Sequence, residues 1–393
     1  MATKPDPLDF LDLRSQLSDE ERMIQDTVRQ FVADRILPDI DDWFEEGIFP
    51  IEITKELGRL GLLGMHLEGY GCAGTNAVSY GLACLELEAG DSGLRSLVSV
   101  QGSLAMFPIW KYGSEEHKQE WLPRMASGEV IGCFGLTESD SGSDAGSMKT
   151  NAKRDGSDWI LNGSKMWITN GNIAGVAVVW ARTEDGIRGF VVPTDAPGFS
   201  ANLIHKKMSL RASVTSELVF DNVRLPESAM LPGVSGMKGP LSCLSEARYG
   251  IAWGAVGAAR ACYEAALSYS LAREQFGTPI AAFQLTQDKL VEMMIGVNQA
   301  TLVALRMGRL KDSTGLHPSQ VSFGKKANVR MALDVAREAR SVLGANGITL
   351  EYPVVRHMNN LESVYTYEGT NEMHTLILGQ VITGIPAFHA PQK

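Results

Sequence analysis

The apolar residues of this chain change period twice, from helical spacing to alternation near residue 130 and back to helical spacing after residue 240. A helix repeats its buried face every 3.6 residues and a half-buried strand every 2, so the two switches demand different architectures along one polypeptide. Ser18-Asp19-Glu20-Glu21 has the form of a capping box, and Ile24, Val28, Phe31 and Val32 follow at helical spacing until Pro38. A second helix is predicted after Pro50, with Ile53, Leu57 and Leu60 on one face and Gly61 and Gly64 at its end. A third covers 77–88, and Ser114 opens a fourth. In the middle, residues 158–161, Asn162-Gly163 and 165–168 predict a hairpin that turns at Asn-Gly, a pair suited to a type I′ turn. Further strands are predicted at 176–180, 189–192 and 217–220. Long helices follow over 245–273, 285–312 and 318–343, broken at Gly277-Thr278-Pro279 and Gly315, with a last one over 370–384. The expected fold class is α+β, mainly α. It comprises an N-terminal α-helical domain (1–129), a central antiparallel β domain (130–240) and a C-terminal four-helix-bundle-like domain (241–393).

Composition excludes several classes. A formal charge of -10 offers no net positive field, which argues against nucleic acid as a partner. The five cysteines (Cys72, Cys84, Cys133, Cys243, Cys262) form no C-x-x-C pair and the seven histidines are scattered, so neither a disulfide framework nor a metal site is expected. Residues 1–10 contain Asp6 and Asp9 and lack a signal-type apolar run. No uninterrupted apolar stretch matches a bilayer's thickness. A soluble, cytoplasmic protein without membrane insertion is the expectation.

No G-x-G-x-x-G follows a strand and no P-loop occurs, so a dinucleotide must be held by other means. Four segments carry the chemical signal. Gly135-Leu136-Thr137-Glu138-Ser139-Asp140-Ser141-Gly142-Ser143-Asp144 is small and hydroxyl-rich, which lets backbone amides approach a phosphate or flavin edge. Trp167-Ile168-Thr169-Asn170 puts an aromatic and a hydroxyl at a strand end, Gly344-Ala345-Asn346-Gly347 closes a helix, and Tyr367-Glu368-Gly369-Thr370 precedes the last one. Taken singly they read as a loop, a core tryptophan, a C-cap and a charge favoured by a helix dipole.

Together, in this order, they resemble the acyl-CoA dehydrogenase family over almost the whole chain, and Arg273-Glu274-Gln275-Phe276-Gly277-Thr278-Pro279-Ile280 with Gln284 adds a further family signature. The resemblance implies FAD between the β domain and the C-terminal helices of a homotetramer. Phe134, Leu136, Thr137, Gly142 and Ser143 would line the flavin and its pyrophosphate. Trp167, Ile168 and Thr169 would cover the ring and hydrogen-bond near N5. Thr370, Asn371 and Glu372 would meet the cofactor from the last helix. Arg273, Phe276, Gln284, Ser341, Leu343, Gly344 and Ala345 would reach the dinucleotide of a neighbouring subunit. Glu368 matches the family's catalytic base, a task that suits a desolvated carboxylate of raised pKa. Some relatives place the base just before an arginine on the first bundle helix, but that position here is Ala247, before Arg248.

Within the family, Asp91-Ser92-Gly93-Leu94-Arg95-Ser96, 242–250 and 362–368 most resemble the members that act on glutaryl-CoA. That likeness implies oxidation and decarboxylation of glutaryl-CoA to crotonyl-CoA, in lysine and tryptophan degradation, with electrons passed to electron-transferring flavoprotein. Arg95 would face the distal carboxylate, a task suited to a permanently charged fork of donors. Glu88 and Ser99, taken as two turns before and one turn after it on one helix, would orient it. Ser96, Ser143, Arg248, Tyr249, Tyr367 and Gly369 would complete the substrate site. Three alternatives stay open: a short neutral acyl-CoA such as butyryl-CoA, dehydrogenation without CO2 release, and a non-catalytic flavoprotein scaffold.

Overall fold

Ser18 caps the first helix, α1 (Asp19–Arg35), as its sequence predicts: Oγ accepts from the Glu21 N–H at 3.2 Å and Glu21 Oε2 accepts from the Ser18 N–H at 2.9 Å. The computed structural model describes residues 4–387. Helices α2 (Ile40–Glu46), α3 (Ile53–Arg59), α4 (Ala77–Gly90) and α5 (Ser92–Ser99) follow. A widened π-helical stretch (Val100–Met106) joins α5 to α6 (Phe107–Tyr112), and α7 (Glu115–Ala126) starts on the Ser114 cap. α4 is buried on every side but Ala89, as a helix apolar all round must be. Its two buried acids pair with arginines, Glu86 with half-exposed Arg29 and with Arg260, Glu88 with Arg95.

A seven-stranded sheet occupies the middle of the chain. Strand β4 (Val176–Thr183) carries β1 (Gly132–Gly135), β2 (Asn151–Asp155) and β5 (Gly186–Pro193), and from β2 the order continues to β3 (Asp158–Thr169), β7 (Thr215–Leu225) and β6 (Phe199–Leu203). Most pairs are antiparallel, but β1 and β2 run parallel to β4, which corrects the expectation of a purely antiparallel sheet. The predicted hairpin exists with its turn elsewhere: Asp155 pairs Asp158 around Gly156 at φ +63°. Asn162-Gly163 instead makes a bulge inside β3, where the register against β7 slips and Gly163 takes φ +136°. Asn162 keeps a negative φ and spends its Oδ1 on the Asn222 N–H at 2.9 Å, so a type I′ turn cannot form there.

The bundle starts earlier than its apolar pattern suggests. Helix α8 (Lys238–Ala272) takes Gly239 and Pro240 into its first turn, where a missing N–H costs nothing. A small ribbon of β8 (Glu274–Gln275) and β9 (Thr278–Pro279) leads to α9 (Gln284–Ser313), α10 (Pro318–Val342), α11 (Val354–Thr366) and α12 (Asn371–Thr383). α9 is long and apolar enough by composition to cross a bilayer, against expectation; it lies along α8 and α10 with Met293, Val297, Ala300 and Ala304 buried. The N-terminal helices and the bundle share one core, containing Leu82 and Leu85 of α4, Val256 of α8, Leu305 of α9 and Ala332 of α10.

The crossing of α4 and α8 depends on absent side chains. A methyl group on Gly257 would lie 1.9 Å from the Leu85 carbonyl oxygen, so the helices could not keep their separation. Gly257→Ala should lower the thermal midpoint through overpacking worth on the order of 1–3 kcal/mol. An unchanged midpoint would show that the two helices separate without loss.

Candidate active site

Two left-handed residues reverse the chain between α11 and α12. Glu368 sits at φ +52° and Gly369 at φ +93°, after which Thr370 Oγ1 caps α12 by accepting from the Met373 N–H at 3.2 Å. A left-handed conformation is uncommon for glutamate and must be held by its surroundings. Here three consecutive carbonyls are taken by cations. Arg248 Nε donates to Glu368 O at 2.6 Å, while Lys325 Nζ donates to Tyr367 O at 2.5 Å and Gly369 O at 2.6 Å. The His374 ring packs beneath, with Nε2 3.0 Å from where a Gly369 Cβ would lie. Burial brings that imidazole down to about 3, with Lys325 and Arg248 adding to the effect, so it stays neutral.

Glu368 is half-buried as a residue, yet its Oε2 is shut off from solvent and has no partner among the described residues. Desolvation raises its pKa, and Arg95, Lys325 and Arg248 pull it back. A carboxylate so placed is a stronger base than one in water. No acceptor among the described residues takes its N–H either.

Arg95 approaches the same turn from α5. The helix breaks at Asp91, whose extended backbone (φ −162°, ψ 142°) separates α4 from α5. Asp91 Oδ1 accepts from the Gly93 N–H at 2.7 Å, and Oδ2 accepts from Arg356 Nη1 at 2.9 Å and Asn360 Nδ2 at 2.8 Å, fixing the break against α11. The break turns Arg95 back onto Glu88: Nε donates to Oε2 at 2.6 Å, and Ser92 Oγ donates to Oε1 at 2.9 Å. Expecting Glu88 and Arg95 on one helix was therefore wrong in geometry, although the two do pair. Ser99 does not join them; its buried hydroxyl makes no hydrogen bond to either among the described residues. Arg95 Nη2 donates to the Tyr367 hydroxyl, which lies 3.3 Å from Ser96 Oγ, and no acceptor among the described residues takes Nη1. The pair is 1% and 0% exposed, far from a solvated surface contact. Burial pushes the Glu88 carboxyl up and Arg95 pulls it back, and the guanidinium stays charged. Room for the pair comes from α8, where a Cβ on Gly254 would fall 1.9 Å from Glu88 Oε2.

The small-residue loop after β1 is tied from below. Glu138 accepts from the Lys149 N–H at 2.6 Å, the Thr150 N–H at 2.9 Å and Lys165 Nζ at 2.8 Å, and Lys165 also donates to Leu136 O at 3.0 Å. The Met166 N–H donates to Thr137 O at 2.8 Å, which brings Thr137 beside the end of β3. There a bulge gives Trp167 φ +64° and leaves the residue 61% exposed. Gly142 and Ser143 are exposed at the loop tip, Thr169 is half-buried, and Phe134 and Leu136 are buried against the helices. Ile168 points into the sheet core, so only its backbone is left for a ligand. From Thr169, paired with Thr215, the chain reaches α11 through Ser209 Oγ, 2.6 Å from Ser363 Oγ, and the Leu210 N–H, which donates to Asn360 Oδ1 at 2.7 Å. The Trp167 strand end is thus anchored to the helix that leads into Glu368.

Other expected residues lie apart. Tyr249 is fully buried and its hydroxyl donates to Ala77 O at 2.7 Å, so it packs below the site and is not free to hold a substrate. Arg273 stands 25 residues beyond Arg248 along α8, about 37 Å at 1.5 Å per residue. With it at that end are exposed Phe276, Gln284, Gly344 and Ala345, buried Leu343, and Ser341, which accepts from Lys289 Nζ at 2.6 Å. Asn371 Oδ1 accepts from Lys326 Nζ at 3.0 Å, and Glu372 is exposed in the first turn of α12. Lys325 and His374 escaped the sequence reading. Lys325 had a signal: it falls on the buried stripe of α10 with Val321, Asn328 and Ala332, where a charge is out of place.

Profiles of the acyl-CoA dehydrogenase N-terminal, middle and C-terminal domains match residues 18–129, 133–223 and 235–383. The chain belongs to the acyl-CoA dehydrogenase family. It is 35% identical to the human short-chain specific acyl-CoA dehydrogenase, mitochondrial, covering 92% of this chain and 90% of that one. Among solved structures it is similar to a glutaryl-CoA dehydrogenase from Mycobacterium smegmatis in complex with FADH2, at 62% identity and a TM-score of 0.97 over 98% of this chain and 100% of that one. The butyryl-CoA dehydrogenase of Megasphaera elsdenii shares 33% identity at a TM-score of 0.90, over 93% and 98% of the two chains.

In this acyl-CoA dehydrogenase the buried pair predicts a particular mutational pattern. Glu88→Leu leaves Arg95 charged and without its counter-ion, which should cost about 3–5 kcal/mol. Glu88→Leu combined with Arg95→Leu should recover most of the lost thermal stability. A double variant no more stable than the single one would mean that the pair is not the source of the loss.

Proposed function

We propose that the enzyme oxidises glutaryl-CoA across C2 and C3 and then releases CO2 to yield crotonyl-CoA, with Glu368 as base and electron-transferring flavoprotein as acceptor. The observation that carries this reading is charge balance around Glu368. Arg95, Arg248 and Lys325 are three cations against two carboxylates, Glu88 and Glu368. With all five ionised the cluster is left at +1, which the free carboxylate of a glutaryl group cancels and a butyryl group does not. Arg95 Nη1 is the donor still available for it. The 62% identity to the mycobacterial glutaryl-CoA dehydrogenase, against 33% to the butyryl-CoA enzyme, points the same way.

FAD, when bound, supplies the acceptor for the β-hydride, chemistry that no side chain offers. The residues present fit it: an exposed tryptophan ring and the hydroxyl of Thr169 at the end of β3, small residues at the tip of an anchored loop, and the Thr370–Glu372 entrance of α12. The exposed residues at the far end of α8 would serve a neighbouring subunit's cofactor in a homotetramer, and exposed Phe276, Leu285 and Ile382 give such an assembly apolar surface.

Glu368 takes the C2 proton, and its free N–H can donate to the thioester oxygen as negative charge grows there. After oxidation the C4–C5 bond breaks. Its electron pair spreads into the unsaturated thioester, CO2 leaves, and protonated Glu368 returns its proton to C4. The alternative base position does not compete, because Ala247 has no acid and neighbouring Glu246 is held by Lys311 Nζ at 2.8 and 3.0 Å.

Arg95→Gln should lower kcat/KM for glutaryl-CoA by about two to three orders of magnitude, the worth of a charged hydrogen-bonded pair. Butyryl-CoA turnover should fall much less; equal losses would remove the carboxylate role. Glu368→Gln should keep FAD bound but stop substrate from bleaching the flavin.

A further inference from the structure

Lys325 is a lysine that α10 has no packing reason to bury. It is 1% exposed, and burial, with Arg248 and Arg95 adding to it, brings its pKa down to about 7 while Glu368 opposes. Sequestering an ammonium costs several kcal/mol unless it is paired or hydrogen-bonded, and the partners here are specific. They are the carbonyls of Tyr367 and Gly369, the residues on either side of Glu368. Two acceptors, one on each flank of a left-handed glutamate, can converge on one nitrogen only while the turn keeps its shape.

We propose that Lys325 is a positioning residue for the dehydrogenation: its ammonium clamps the carbonyls on both sides of Glu368 and holds the turn that aims the carboxylate at the reacting carbon. The proposal rests on Glu368 being the base. Arg248 secures the third carbonyl from α8, so two helices of the bundle grip the turn that joins two others. The groups facing Lys325 are Glu368 and Tyr367 on the turn, Arg248 on α8, Arg95 on α5 and His374 on α12. Glu368 is the anion among them whose charge the ammonium favours without a Glu88-like counter-ion of its own. Removing the ammonium therefore takes away a cation that lowers the Glu368 pKa. The sign follows: the base should be protonated up to a higher pH in its absence.

The test is anaerobic stopped-flow reduction of the FAD-loaded enzyme by glutaryl-CoA across pH, with Lys325→Met, Lys325→Gln and Glu368→Gln beside the wild type. For Lys325→Met the reduction rate should fall about 10- to 100-fold, the cost of a misaimed catalytic group. FAD content and thioester affinity should change by less than about threefold, since ground-state binding is untouched. The acidic limb of the rate profile should move to higher pH. An unchanged rate and limb would overturn the proposal, and so would a slower enzyme that loses FAD and keeps its limb in place, the signature of a purely structural lysine. Should Lys325→Met fail to assemble, Lys325→Gln, which keeps an amide donor for the carbonyls but no charge, reads the same limb. Glu368→Gln separates the two ideas. If it still bleaches the flavin, the base assignment fails; if it is inert while Lys325→Met behaves as wild type, only the role of Lys325 fails.

Discussion

The ion pair between Glu88 and Arg95 is the contact on which the site's geometry turns. Both groups are nearly without solvent, and neither can be buried alone. Their pairing requires the helix break at Asp91, the glycine at 254 that clears space on α8, and Tyr367 on the chain that carries Glu368. Three separate segments therefore converge because one guanidinium must be accommodated. The same guanidinium keeps a nitrogen for an outside acceptor, which links the stability of the fold to the proposed choice of substrate.

Around that pair the protein gathers charged groups from helix ends and helix faces. Arg248 and Lys325 project from long helices, whose backbones are rigid, onto a turn whose own conformation is strained. Strain at a carboxylate and rigidity behind it are what proton abstraction from a weak carbon acid requires, because a misaimed base loses most of its advantage. The sheet makes a matching use of strain at Trp167, where a bulge exposes an aromatic ring at a strand end.

Much of this was legible beforehand where the signal is local. The Ser18 box, the Ser114 cap and the long apolar stripes of α9 and α10 are set by neighbouring residues and the structure has them within a position, whereas α8 begins seven residues before its expected start. Asn162-Gly163 misled because the pair suits a bulge as well as a turn, and only the partner strand decides between them. Helix α11 went unseen because its caps are weak, with Pro353 offering no side-chain acceptor. Glu368 and Arg95 came from a pattern of motifs, and the pairing of Arg95 with Glu88 followed, but through a helix break no periodicity announces. Tyr249 was misplaced although it adjoins Arg248 on unbroken α8: Arg248 reaches the turn while the Tyr249 side chain points into the core. Lys325 was readable in principle as a charge on an apolar stripe, yet its partners are backbone carbonyls, which leave no trace in a sequence.

The central claim is that this site was shaped around an acyl chain ending in a carboxylate. Anaerobic mixing of the purified FAD-loaded wild-type protein with glutaryl-CoA, with the flavin spectrum followed and the acyl product weighed by mass spectrometry, tests it most directly. The account predicts a bleached flavin and a four-carbon unsaturated thioester. A flavin that stays oxidised with glutaryl-CoA while butyryl-CoA bleaches it would contradict the account.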